Sequence, residues 1–196
     1  MILAGILLAF SGGTVFAYTS GVYGSSTYGS CDYGEACSIT ITSNGAVSLN
    51  VVPTSGGSCT IRSDTVSVLT DDANGYTLTL ADNTDVTALS DGPSTISATA
   101  GTLASPSALT GNSWGYRIDG VGSFGSGPTT AQTNVSPTSA LFAEVQPNSE
   151  GGDTIADTST AADPAQTTTV WFGACANTAV SSGTYTGQVV YTAVAN

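Results

Sequence analysis

An all-β chain, folded as an antiparallel β-sandwich of Ig-like or jelly-roll-like form, is what this sequence predicts. Three observations carry that reading. Apolar residues alternate with Ser and Thr in short runs, Gly, Asn and Pro break those runs every several residues, and no helical period appears after residue 20. At 196 residues the chain is long enough for one core of ordinary size, so a single β-sandwich domain is expected over 37–196, preceded by an apolar segment at 1–17 and a Tyr/Gly/Ser-rich extended segment at 18–36.

The opening segment, MILAGILLAFSGGTVFA, is uncharged and has three readings. Val15 and Ala17 form an A-x-A-like site with cleavage expected before Tyr18, which makes it a secretory signal, although Met1 to Ala4 lack the positive charge such signals begin with. A pilin-like helix that packs in a filament core is the second reading, with Gly5 standing where many bacterial pilins carry an acid. An uncleaved tether is the third; a bilayer needs about 20 apolar residues, and the stretch reaches that only by including Ser11, Gly12, Gly13 and Thr14. Between residues 18 and 30, Tyr18, Tyr23 and Tyr28 recur at five-residue intervals among Gly and Ser, a composition poor for helix. It reads as a flexible linker or as a strand that adds to a neighbour's sheet edge.

Ser38 to Thr42 and Ala46 to Val52 alternate around Asn44-Gly45 and predict a hairpin. A second hairpin is predicted from Thr65 to Thr70 and Tyr76 to Leu80, joined by a loop ending in Asn74-Gly75. Thr168 to Cys175 and Gly183 to Val194 supply two further strands. From Leu89 to Pro164 the chain reads as long loops with short strands at Trp114 to Ile118 and Leu141 to Ala143.

Composition excludes several functions. Arg62 and Arg117 are the only basic side chains against fourteen carboxylates, for a net charge of −12, so no nucleic acid partner is expected: phosphate binding needs clustered cations. With neither His nor Lys, Ser-His, Cys-His and Ser-Lys nucleophile pairs and Schiff-base chemistry are unavailable. Asp71-Asp72, Asp82-Asp85 and Asp153-Asp157 are carboxylate pairs of the kind glycosidases use, and Asp71/Asn74 and Asp82/Asn83/Asp85 offer oxygen ligands for calcium. Neither set matches an EF-hand loop, turn-forming Asx residues explain both, and no catalytic residue, metal or cofactor is assigned. Gly122 to Gly127 is Gly-rich but does not join a strand to a helix, and Asn134-Val135-Ser136 is one isolated glycosylation triplet.

The four cysteines point to an oxidising compartment. Of three possible pairings, Cys31–Cys37 with Cys59–Cys175 is favoured: the first closes a small loop, and the second joins strands far apart in sequence. Zinc is disfavoured, with no His and no paired C-x-x-C spacing. Among the aromatic residues Trp114, Tyr116, Phe124, Trp171 and Phe172, core packing competes with a sugar-stacking face; Trp114 and Trp171 are the candidates for glycan stacking.

The strings Tyr28-Gly-Ser-Cys31 through Cys37-Ser-Ile-Thr40, Asn74-Gly-Tyr-Thr-Leu-Thr-Leu80, Trp114-Gly-Tyr-Arg-Ile-Asp-Gly120, Thr169-Val-Trp-Phe-Gly173 and Ser182-Gly-Thr-Tyr-Thr186 resemble a family of secreted surface proteins of Saccharibacteria and related candidate-phylum bacteria. That resemblance spans nearly the whole chain and implies export and a β-sandwich, with no catalytic residues to carry over. Expectation therefore rests on a non-enzymatic, extracellular bacterial structural protein, a noncovalently assembled pilus-like filament or coat subunit. Sortase linkage is set aside because no Lys and no sorting signal after Tyr191 are present. Self-association is assigned to Met1, Ile2, Leu3, Ile6, Leu7, Leu8, Phe10, Tyr18, Tyr23 and Tyr28. The alternative is a monomeric adhesin that binds a glycan or protein on a host or neighbouring cell.

Overall fold

Where Ser and Thr alternate with Ile, Val and Leu, the chain is extended, and each strand turns its apolar set inward. The computed structural model describes residues 6–10, 15–18, 37–137 and 139–196, with side chains described from residue 37 onward. Its strands are β1 (Ile6–Phe10), β2 (Val15–Tyr18), β3 (Ile39–Ser43), β4 (Ser48–Val51), β5 (Ser58–Thr70), β6 (Tyr76–Asp82), β7 (Leu89–Ser90) and β8 (Thr95–Ala98). They continue with β9 (Ser107–Ala108), β10 (Ser113–Arg117), β11 (Gln132–Val135), β12 (Leu141–Phe142), β13 (Asp153–Asp157), β14 (Ala162–Ala176), β15 (Thr184–Gly187) and β16 (Val189–Ala195). The all-β expectation holds.

The larger sheet runs β11-β5-β14-β10-β8-β7-β15-β1-β4, with β3 also pairing β5. Strand β14 occupies one edge of β5 along nearly its whole length, so β3 and β11 share the other. The sheet curls until its ends meet. Thr60 Oγ1 donates to the Asn50 carbonyl at 2.7 Å, and the Val52 N–H donates to Asn134 Oδ1, also at 2.7 Å. Asn134 holds that position with φ of 50°, a left-handed conformation Asn tolerates better than most residues. A second sheet runs β13-β6-β16-β2, and β9 pairs β12 as a short ribbon.

Between the sheets lies one core. Val66 and Val68 of β5, Leu78 and Leu80 of β6, Trp114 and Tyr116 of β10, Phe172 of β14 and Tyr191 of β16 are all buried in it. A smaller cluster of Cys59, Ile61, Leu109, Phe142, Trp171 and Cys175 is separate, and its members from β5 and β14 are all at odd-numbered positions. Period-two alternation explains the division: Phe172 and Ala174 pack in the main core, whereas Trp171 and Cys175 pack in the second cluster.

Both predicted hairpins are corrected. Strand β3 pairs β5, and β4 pairs β1, so residues 38–42 and 46–52 do not pair with each other. Strands β5 and β6 lie in different sheets, and Asp71–Gly75 is a crossover. Within it the Gly75 N–H donates to the Asp72 carbonyl, Asn74 N–H donates to Asp72 Oδ1, and Gly75 has φ of 86°. A Cβ there would fall on the Thr158 carbonyl, so the turn needs glycine on two grounds. Strands facing each other across a core show the same alternation as strands paired in a hairpin, which is why the pattern suggested one. The region read as loops also contains β13, which completes the second sheet beside β6.

Candidate functional site

The N-terminal segment occupies the most exceptional position in the topology. Strand β1 lies between β15, to which it is parallel, and β4, to which it is antiparallel. Leu7 pairs with Thr184 and Phe10 with Gly187; beyond them β2 runs parallel to β16, with Val15 opposite Tyr191 and Tyr18 opposite Val194. The two stretches thus follow the last two strands from the larger sheet into the smaller. Of the expected assembly residues, Ile6, Leu7, Leu8 and Phe10 fall in β1, and Tyr18 ends β2. Met1, Ile2, Leu3, Tyr23 and Tyr28 lie outside the described residues. The helical reading of 1–17 falls partly on residues outside that set; the parts described there are β1 and β2.

Cys59 and Cys175 form the expected disulfide. Although 116 residues apart in sequence, they sit directly opposite on adjacent antiparallel strands with Cα atoms 4.0 Å apart. Cys37 is disulfide-bonded, and Cys31 lies outside the described residues.

The glycan-stacking candidates are corrected by burial. Trp114 is 0 % exposed and its indole N–H donates to the Thr87 carbonyl at 2.9 Å; Trp171 is 7 % exposed and packs in the cluster around the disulfide. Stacking on a sugar needs an open ring face; Trp114 has none, and Trp171, although it contributes to the lining of a surface cleft, is too nearly buried to present one. Tyr116, Phe124 and Phe172 are buried too. The Tyr116 and Phe124 rings meet edge to face, with centroids 5.8 Å apart.

Five of the six paired carboxylates have a local structural task, while Asp157 lies on the rim of a surface cleft. Asp71 Oδ1 accepts from the Ser38 N–H, Asp72 Oδ1 from Asn74, Asp82 Oδ1 from the Thr84 N–H and hydroxyl, and Asp85 Oδ1 from Ser149. These are Asx turns and loop clips. Burial pushes the Asp82 carboxyl up, partly offset by the Thr84 bonds, whereas the Ser149 amide holds Asp85 down. Asp153 accepts the Tyr116 hydroxyl at 2.7 Å, bonding β10 of one sheet to β13 of the other. Burial raises Asp153 and, more strongly, Tyr116; burial and then the charges of Glu150 and Asp153 raise Glu144. Among the described residues no group of three acids or thiols is arranged to hold a metal ion.

Arg117 is a feature that sequence reasoning passed over. It is 0 % exposed, and its guanidinium donates to Asp119 Oδ1 at 2.7 Å through Nη2, with a second bond from Nε. Further bonds reach the carbonyls of Leu141, Phe124 and Gly125, and Cζ stands 5.9 Å from the Phe124 ring centroid. One cation thereby fastens β10, β12 and the loop after β10. A signal was present: a rare Arg in an aromatic strand, two residues before an Asp.

On the surface, an open cleft of about 670 Å³ lies between the end of β10, β13 and the first half of β14. Its rim includes Asp119, Thr129, Asp157, Gln166, Thr167 and Thr169. Buried Ile118 and Ile155 contribute to its lining. The lining offers hydroxyl, amide and carboxylate oxygens for hydrogen bonding.

No protein-family model, no curated protein and no solved structure matches this chain.

Proposed function

We propose that this chain is a non-enzymatic structural subunit of an extracellular bacterial filament or surface coat, held to its neighbours noncovalently through the N-terminal segment. The observation that carries the reading is the placement of β1 and β2, an uncharged N-terminal segment whose backbone pairs with β4, β15 and β16. Sheet pairing of that kind gives affinity without a specific side-chain chemistry. A buried disulfide suits an oxidising compartment, and among the described residues no helix is long and apolar enough to cross a membrane. The resemblance to secreted surface proteins points the same way. Candidate acids engaged in turns, and the lack of His and Lys, favour a non-enzymatic role.

Electron microscopy of the full chain against a variant lacking residues 1–30 tests it. Filaments or sheets are expected from the full chain alone; equal assembly by the shortened chain, shown by circular dichroism to be folded, refutes the proposal.

The surface cleft supports a second reading, an adhesin that binds a glycan through hydroxyl and amide contacts. A glycan array with a Gln166→Ala/Thr169→Ala variant separates the two. Binding lost in that variant would favour the adhesin.

A further inference from the structure

Taking the subunit reading as its basis, we infer that the seat between β4 and β15, with the edge of β16, is an acceptor site for β1 and β2 of a second copy of this chain, so that subunits join head to tail by strand exchange. The first ground is topological. Strand β1 is hydrogen-bonded on both edges, and β2 continues the same parallel course beside β16. All of this pairing joins β1 and β2 to strands that follow them by at least thirty residues, so an identical strand from a neighbour makes the same contacts. Exchange of an identical element requires no new interface.

Charge supplies the second ground. The chain carries −12, yet no charged residue occurs before Asp32 or after Asp163, and β4 has none. The donor segment and all three strands that receive it are therefore uncharged. Exposed sheet edges are ordinarily guarded by Lys, other charges or Pro. Strands β4, β15 and β16 have none of these guards, so once β1 and β2 leave, nothing on those edges repels an incoming strand.

Reach is the third ground. From Tyr18 to Cys31 there are thirteen Cα–Cα steps, roughly 43–47 Å when fully extended. A body of this length is about 40 Å across by the usual size scaling. The connection is therefore long enough to place the donor on an adjacent subunit. Because donor and acceptor are different surfaces, the contact is heterologous and propagates as an open chain unless rotation closes it into a ring. Exchange competes with the chain's own strand at a high effective concentration, so it grows with protein concentration.

Single cysteines placed at a register pair test this. Ala9 and Ser48 are opposite on β1 and β4. Full-length Ala9→Cys is mixed with a longer-tagged full-length Ser48→Cys under mild oxidation, and products are resolved without reductant. An Ala9→Cys/Ser48→Cys double variant reports the register within one chain. The inference expects mixed-chain cross-links between residues 9 and 48, identified by peptide mass, whose yield rises at least tenfold between micromolar and near-millimolar protein, and a ladder from the double variant. Only internal cross-links at every concentration overturn the acceptor site. If filaments are still visible in that case, the subunit reading survives and the strand-exchange site alone fails; without filaments both fail. Absence of any 9–48 cross-link overturns it as well. So does an intact mass showing that the chain on the native surface starts at Tyr18, because the β1 donor is then gone.

Discussion

Replacing Cys59 and Cys175 together by Ala should cost the fold a large share of its stability. The bridge closes 116 residues, and chain-entropy arithmetic for a loop of that size gives about 4.8 kcal/mol at 25 °C. The two cysteines are 0 % and 1 % exposed among Ile61, Leu109, Phe142 and Trp171, so truncation also removes packing from a filled cluster. For a domain of this length the entropic part alone corresponds to a fall in melting temperature of roughly 10–20 °C. Urea unfolding followed by tryptophan fluorescence is the assay, because Trp114 and Trp171 both lose buried surroundings. A second signature separates the mechanisms: an unfolded chain freed from the cross-link exposes more surface, so the urea slope should rise in the double variant. A loss below about 1 kcal/mol with an unchanged slope would refute the argument that this bridge restrains the unfolded chain.

Arg117→Met should destabilise by about 2–4 kcal/mol, since it leaves the Phe124 and Leu141 carbonyls without the guanidinium; a chemical-denaturation loss under 1 kcal/mol would show that these carbonyls find other partners. Gly173→Ala should cost about 1–3 kcal/mol by the same measurement, because its Cβ would lie 2.7 Å from the Phe142 ring and 2.9 Å from Leu109; unchanged stability would mean that the cluster yields freely. Stability should also depend on pH. Asp82, Glu144 and Asp153 have raised folded-state pKa values, so the folded chain binds more protons than the unfolded one in the window from the ordinary 3.8–4.5 up to the raised values. Stability therefore falls as pH rises through that window, and the melting temperature should be higher at the window's lower end than above it. The lowered Asp85 acts in the opposite sense but is solvated. A flat or reversed profile would show that these burial effects do not govern the response.

Several strands could be read directly from the chain because their chemistry is local. Ile39, Ile41, Leu78 and Leu80 alternate with Thr, which suffices to make each segment extended with one face inward. The Cys59–Cys175 pair was accessible for a similar reason, since both residues bound or end apolar runs that must pack. Strand β13 was obscured because Asp153 and Asp157 gave its short span an acidic look, although Ile155 buries between them. Trp114 and Trp171 were ambiguous because an aromatic ring in a strand looks the same whether it faces core or solvent.

The residue sequence by itself determined an uncharged N-terminal segment, an oxidised all-β body, and the lack of cationic and imidazole chemistry. Those properties follow from which side chains are present and from their period of two. Which strand pairs with which was decided only by the tertiary structure. The crossover at Asp71–Gly75 separates β5 from β6, Arg117 gathers carbonyls from β12 and the loop after β10, and β1 pairs with β4 and β15. Pairing depends on backbone hydrogen bonds, which every residue but proline can make, so its choice is set by global packing and leaves little trace in the order of side chains.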